Sequence, residues 1–151
     1  MRPARPGDAP ALLALSRPFV HSGALRDRPR HVYAARAADF LVAEAPDGAL
    51  EACLALRVHP EAPHGGRASA VLYNVCVARH RQGCGLGARL LRTALAGARA
   101  EARGALFTAT TGNARLFLRH GFAPVPASLA PAAWARSLDP RRNARVLARA
   151  L

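Results

Sequence analysis

The stretch Arg81-Gln82-Gly83-Cys84-Gly85-Leu86-Gly87 decides the fold class, because it joins an apolar segment to a long amphipathic one. Before it, residues 68–77 are apolar nearly throughout, which is typical of a strand covered on both faces. After it, leucines and alanines recur at three-to-four spacing over residues 86–98, which predicts a helix closed by Gly104. A strand, a glycine loop and a helix in this order indicate an α/β protein.

The segments on either side extend the same pattern. Apolar runs at 39–44 and 50–58 are separated by Asp47-Gly48, a strong signal for an antiparallel hairpin. Further strands are predicted over 105–110, 122–125 and 145–151, and further helices from Asp8 to Pro18, over 29–38, over 113–120 and around Trp134. We therefore predict an α/β fold in a single domain over residues 1–151. Its mixed central sheet would begin with antiparallel strands and carry helices on both faces.

Length and hydropathy limit the class of protein. A chain of 151 residues corresponds to one domain, and 51% hydrophobic residues are enough for a real core. No apolar run reaches the ~18 residues that a membrane span requires, and the first six residues lack the apolar stretch of a signal peptide. We expect a soluble cytoplasmic protein without a membrane partner.

The net charge of +13 raises the question of a nucleic-acid partner. The basic residues are spread along the whole chain, with no block of five or more like charges. Aromatic residues make up only 5%, too few for a platform on which bases stack. We expect no nucleic-acid partner and assign most of the arginines to solvated helix faces, with a minority free to meet a phosphorylated ligand.

Cysteines and histidines do not form a metal-binding pattern. Cys53, Cys76 and Cys84 include no C-x-x-C pair, and the six histidines include no H-x-x-x-H pair. Cys84 lies at a helix N-terminus, a position that lowers a thiol's pKa, but no partner histidine is evident. We expect no metal site and no cysteine nucleophile.

The glycine loop has the composition of a phosphate cradle. A Walker loop would need a Lys after its last glycine, and a dinucleotide fingerprint would need a different final glycine spacing. The remaining pattern, Q-G-x-G-x-G running into a helix, lets backbone amides converge on a pyrophosphate while the helix dipole adds a favourable field. Glycine suits this purpose because a side chain would hold the phosphates away from the amides.

These residues resemble the GCN5-related N-acetyltransferase (GNAT) family, whose cofactor motif is [RQ]-x-x-G-x-[GA]. Gln82 to Gly87 fits that motif after the apolar Val75-Cys76-Val77, and the resemblance runs from Arg2-Pro3-Ala4 to Gly121-Phe122. It implies an acyltransferase that uses acetyl-CoA, in which a primary amine of a small molecule attacks the thioester directly. The cofactor-binding residues that it implies are Val75, Cys76, Val77, Arg81, Gln82, Gly83, Cys84, Gly85, Leu86, Gly87, Ala88, Asn113 and Phe117.

The catalytic groups are less well marked. The resemblance implies that the strand containing Cys76 offers backbone amides to the thioester oxygen, while Glu44 and Tyr73 are candidates for proton transfer. Phe117 stands where the family usually has a Tyr acid. A thiolate leaving group, with a pKa near ~8.5, does not strictly need that acid.

A narrower likeness concerns the acceptor. Residues 110–122 and 141–147 are similar to segments of N-acetylglutamate synthases, which implies an amino acid such as glutamate as the acceptor. Arginine suits a carboxylate because it donates two parallel hydrogen bonds, and Arg142 and Arg28 are the candidate residues, with Arg26 as the alternative to Arg28. Other acceptors (an antibiotic, a polyamine or a protein N-terminus) and a CoA-binding module without activity remain alternatives. Pairing of family members through sheet edges makes a homodimer a further expectation.

Overall fold

The computed structural model describes residues 1–60, 68–101, 103–112 and 114–151. Its α-helices are α1 (Ala9–His21), α2 (Arg30–Ala35), α3 (Leu86–Ala100), α4 (Arg115–Arg119) and α5 (Ala132–Ser137). Its strands are β1 (Arg2–Pro3), β2 (Phe40–Glu44), β3 (Leu50–His59), β4 (Ser69–Val77), β5 (Ala105–Thr110), β6 (Ala123–Pro124) and β7 (Arg145–Ala150). None of the helices in the described ranges is long and apolar enough to cross a membrane.

The strands form a mixed sheet in the order β1-β2-β3-β4-β5-β7-β6. β2 runs antiparallel to β1 and to β3, whereas β4 and β5 are parallel, with Ala70 opposite Leu106. β7 runs antiparallel to both β5 and β6. The prediction of an α/β fold whose mixed sheet begins with antiparallel strands is confirmed. The chain divides into two compact units, residues 1–56 with 74–94 and residues 57–73 with 95–151, and the single domain stays a prediction.

In the first unit, α1 is longer than its sequence indicates. We expect Pro18 to end this helix, but Pro18 lies inside it and the helix continues to His21. Proline removes one amide donor, yet the amide of Ser22 still closes the last turn on the Pro18 carbonyl at 3.1 Å. Gly23, at φ +84°, then provides the left-handed residue on which helices commonly end.

Arg2 ties the first strand to the start of α1 and to the end of β2. Its guanidinium lies 2.8 Å from the carboxylate of Asp8 and 2.8 Å from that of Glu44. Asp8 also accepts a hydrogen bond from the amide of Arg5 at 2.7 Å. The hydrogen bond from Arg2 lowers the pKa of Asp8 to about 2, so the Asp8 carboxylate stabilises the fold at neutral pH.

Asp8→Asn is expected to lower the free energy of unfolding by about 1 kcal/mol at pH 7, because the exchange removes the charge that Arg2 pairs with. The folded-state pKa is depressed, so this contribution is present above about pH 4 and is lost as the pH falls toward 2. Urea denaturation of both proteins between pH 2 and pH 7 measures the difference. A gap between the two proteins that stays constant over this range would contradict the assignment.

The second unit is built on the pairing of β5 with β7. Its core contains Val71, Phe107, Ala130 and Val146, with the rings of Phe107 and Trp134 at 6.4 Å between centroids. The amide of Gly104 bonds the carbonyl of Ala68 at 2.9 Å, where β4 and β5 begin. The hydrophobic spacing thus predicted the strands correctly, whereas α4 is shorter than the helix expected over 113–120.

Candidate active site

The loop after β4 is an exposed cradle of backbone. Gly83 and Gly85 have φ of +80° and +82°, a region that side chains rarely adopt, and open space surrounds both α-carbons. Gln82 holds the start of the loop, because its side-chain amide donates to the carbonyl of Val77 at 3.1 Å. The loop leads into α3, a helix of 15 residues with no acidic side chain in its first turn. Such a terminus attracts an anion.

Two arginines next to the loop are held by neighbouring side chains. Arg81 pairs with Glu51 of β3 at 2.6 Å, and the amide of Ala78 donates to the carbonyl of Glu51 at 2.8 Å. The guanidinium of Arg79 lies over the ring of Phe19, 5.8 Å from its centroid. Glu51 therefore anchors the beginning of the loop to β3.

A buried asparagine inside β4 gathers polar groups from four parts of the first unit. Asn74 lies between Tyr73 and the predicted cofactor-binding residue Val75. Its side-chain contacts are Arg28, Tyr33 of α2, Ser16 of α1 and Cys53 of β3. Sequence reasoning missed this residue. Its only local signal is an amide residue in the middle of an apolar strand.

Cys76 and Cys53 face each other from β4 and β3. Their sulfur atoms are 3.6 Å apart and both residues are buried. The hydrogen bond with Cys53, together with burial, raises the pKa of the Cys76 thiol. The Cys76 thiol is therefore neutral, which leaves the backbone amides of the strand as the groups of interest.

The candidates for proton transfer lie in different surroundings. Glu44 is exposed at the end of β2, and its hydrogen bond with Arg2 lowers the pKa of its carboxyl group. A carboxylate of lowered pKa is a weaker base, so this contact disfavours Glu44 as a general base. Tyr73 is half-buried in β4, next to Asn74.

The predicted site residues that the structure describes in the second unit are Tyr73, Phe117 and Arg142. Phe117 is buried in α4 and packs edge-on against Phe122, with 5.5 Å between the ring centroids. Arg142 is half-buried at the end of a 3-10 turn, Pro140–Arg142, which Asp139 caps by accepting a hydrogen bond from the amide of Arg141 at 3.0 Å. Asn113 lies outside the described residues. Among the described residues, no group of three or more His, Cys, Asp or Glu side chains could hold a metal ion.

Known proteins resemble the chain over most of its length. An amino-acid acetyltransferase of Neisseria meningitidis is 33% identical over 122 residues, which is 81% of this chain and 27% of that protein. The structure of N-acetylglutamate synthase from Neisseria gonorrhoeae, complexed with coenzyme A and N-acetyl-glutamate, superposes with a TM-score of 0.89 and 29% identity over 99% of this chain and 34% of that one. The chain thus spans about a quarter to a third of the length of these relatives.

A relative of similar size is the ribosomal-protein-alanine N-acetyltransferase of Brucella melitensis. It is 27% identical with a TM-score of 0.72, covering 99% of this chain and 98% of that one. The model of the acetyltransferase (GNAT) domain matches residues 36–124, which include the glycine loop and α4. This match confirms the family and the enzyme class that the loop predicted: the chain belongs to the GNAT acetyltransferase family.

Proposed function

We propose that the protein transfers an acetyl group from acetyl-CoA to the amine of an acidic amino acid such as glutamate. The donor half of the proposal rests on family membership and on the exposed loop with its two left-handed glycines. The acceptor half rests on one observation: Arg28 donates to Asn74 at 3.1 Å, so a cation lies beside the residue that precedes Val75. The related synthase whose structure contains N-acetyl-glutamate supports this acceptor class.

The residues of the loop fit a pyrophosphate. The backbone amides of Gly83, Gly85 and the first turn of α3 are the donors that would hold it, and Gln82 keeps the loop in place. Arg79 and Arg89, both exposed, add positive charge near the loop. Coenzyme A, when bound, supplies the acetyl group as a thioester. Asn113 and Phe117 stay predicted contacts of the same cofactor.

The reaction depends mainly on how the acceptor amine is positioned relative to the thioester carbonyl. In this proposal the amides of Val75–Val77 hold the thioester oxygen, while Arg28 holds a carboxylate of the acceptor so that its amine reaches the carbonyl carbon. Phe117 cannot donate a proton. The leaving group does not need one, because a thiol of pKa ~8.5 is acidic enough to leave as the thiolate. In this proposal the proton that the amine releases passes to Tyr73 or to solvent. Glu44 is not given this role, because its carboxylate is paired with Arg2.

Arg28→Gln is expected to raise KM for glutamate roughly 20-fold while KM for acetyl-CoA stays within about twofold, because a charge-assisted pair with a carboxylate is lost. Thiol release measured over a range of both substrates gives the two constants. The matched control is Arg92→Gln, since Arg92 is an exposed arginine of α3, and we expect it to change neither constant.

A panel of amines tests the acceptor class. Glutamate and aspartate should turn over faster than amines without a carboxylate, such as polyamines, whose charge also opposes a protein of net charge +13. Equal rates with neutral or cationic amines would overturn the acidic acceptor. Binding of coenzyme A without turnover of any amine would instead indicate a binding module.

A further inference from the structure

Arg81 is tied to β3 at one end and to the glycine loop at the other. Its guanidinium Nε lies 2.6 Å from Oε2 of Glu51, while its carbonyl accepts a hydrogen bond from the thiol of Cys84 at 2.6 Å. The amide of Arg81 donates to the carbonyl of Ala78 at 2.8 Å, and the amide of Ala78 donates to the carbonyl of Glu51 at 2.8 Å. Glu51 is therefore connected to Arg81 by two routes, one through side chains and one through the backbone.

The contact between Arg81 and Cys84 closes a turn that contains Gly83. Gly83 has φ +80°, and residues 81–85 are all exposed. Because an exposed turn has few packing contacts, its hydrogen bonds and ion pairs set its conformation. The amides that follow Gly83 therefore keep a common direction only while Arg81 is held in place.

Glu51 is a negative charge beside a loop whose expected ligand is a polyanion. A carboxylate repels a phosphate, so the charge of Glu51 by itself opposes binding. The side chain of Glu51 is only 16% exposed, and its partner Arg81 balances its charge. Toward a phosphate the pair is thus close to neutral, and its effect on the loop is one of geometry.

We propose that Glu51 is a positioning residue for the cofactor, which holds Arg81 and thereby keeps the glycine loop in the conformation that binds the pyrophosphate of coenzyme A. Arg81, which the family resemblance implies as a cofactor contact, is in this proposal the link between Glu51 and the loop. The inference rests on the donor half of the proposed function, since it assumes that the loop binds coenzyme A. It does not depend on the acceptor.

Glu51→Met tests the proposal by the sign of its effect. The substitution nearly keeps the length of the side chain and removes one negative charge, so charge alone would strengthen the binding of coenzyme A. Loss of positioning acts in the opposite direction, and we expect the Kd for coenzyme A to rise roughly tenfold, as measured by isothermal titration. An unchanged or lower Kd would overturn the positioning role.

Arg81→Met and the double variant show whether the two residues act as one unit. If Arg81 acts through Glu51, each single variant and the double variant should raise the Kd for coenzyme A by about the same factor. A Kd that rises in Arg81→Met but not in Glu51→Met would show that Arg81 contacts the phosphates directly. That result would overturn the inference.

Two further variants separate positioning from a loss of charge or of folding. Glu101→Met is the matched control, because Glu101 is also paired with an arginine, Arg103 at 2.7 Å, but follows the opposite end of α3 from the loop. We expect its Kd for coenzyme A to stay within about twofold of the wild type, since an exposed ion pair contributes little. Glu51→Gln keeps an oxygen that accepts from Arg81, so its Kd should rise less than that of Glu51→Met.

The same titrations distinguish this inference from the proposed function. A purely structural role for Glu51 would lower the number of binding sites per chain and leave the Kd of the folded protein unchanged, which would overturn the inference. Wild-type affinity in Glu51→Met, together with weak binding in Gly85→Val, whose strain acts on the loop itself, would also overturn it but leave the donor site intact. Wild-type affinity in Gly85→Val would overturn both.

Discussion

Gly85→Val is expected to weaken coenzyme A binding by about 100-fold. Gly85 has φ +82°, and a β-branched side chain is strained by a few kcal/mol in that region, so the loop must change its path or lose its amide geometry. The valine would also extend into the open space above the loop, where a phosphate must approach the backbone closely. Isothermal titration with coenzyme A measures the effect.

The matched control for the loop glycine is Gly97→Ala. Gly97 lies in α3, is exposed and has open space around its α-carbon, so an alanine there should stabilise the helix slightly and leave coenzyme A binding unchanged. The same strain lowers the stability of the folded state, so the melting temperature of Gly85→Val should fall by several degrees, and the titration is run well below it, where the protein stays folded. Wild-type affinity in Gly85→Val would show that the loop does not bind the pyrophosphate.

Tyr33→Ala is expected to lower the free energy of unfolding by about 4 kcal/mol, the largest effect on stability among these substitutions. Tyr33 is 1% exposed in α2, and its ring lies 5.9 Å from that of Phe40 between centroids. Truncation leaves a cavity the size of an aromatic ring and removes a hydrogen bond to Asn74. Urea denaturation followed by circular dichroism measures the change.

Tyr33→Phe separates the ring from the hydroxyl. It keeps the packing and removes only the hydrogen bond to Asn74, whose Oδ1 still accepts from Arg28, so we expect a loss of about 1 kcal/mol. Burial raises the pKa of Tyr33, which keeps the hydroxyl protonated and able to donate at neutral pH. Equal losses in both variants would show that the ring contributes nothing through packing.

Most of the elements follow from short-range patterns. The three-to-four spacing of leucines predicted α3, and the Asp47-Gly48 turn between apolar runs predicted the β2–β3 hairpin, because both patterns record which side of a single element is buried. The same reasoning predicted wrongly that Pro18 ends α1. A proline removes one donor, but whether the helix ends there depends on the turn that follows it, here closed by Ser22 and Gly23.

The candidate site likewise combines residues that a local sequence pattern predicts with contacts that form only on folding. Gln82 to Gly87 indicates the family by its residues alone, because a phosphate cradle is made of consecutive backbone amides and its glycines are close together in the chain. Arg28 was predicted to bind the acceptor only from the resemblance to N-acetylglutamate synthases, and it is one of many arginines in the chain. Its contact with Asn74 joins residues 46 apart in sequence, and no local spacing encodes it.

The sequence by itself therefore determined the α/β class, the glycine loop and the family, since each depends on residues that are neighbours along the chain. Only the tertiary structure revealed that Arg2 forms an ion pair with Glu44. It also revealed that the side chain of Asn74 forms hydrogen bonds with Ser16, Arg28, Tyr33 and Cys53. The physical reason is that a buried amide must satisfy all its hydrogen bonds, and it does so with whichever side chains folding brings to it. Those partners come from helix, loop and strand, and the fold alone makes them neighbours.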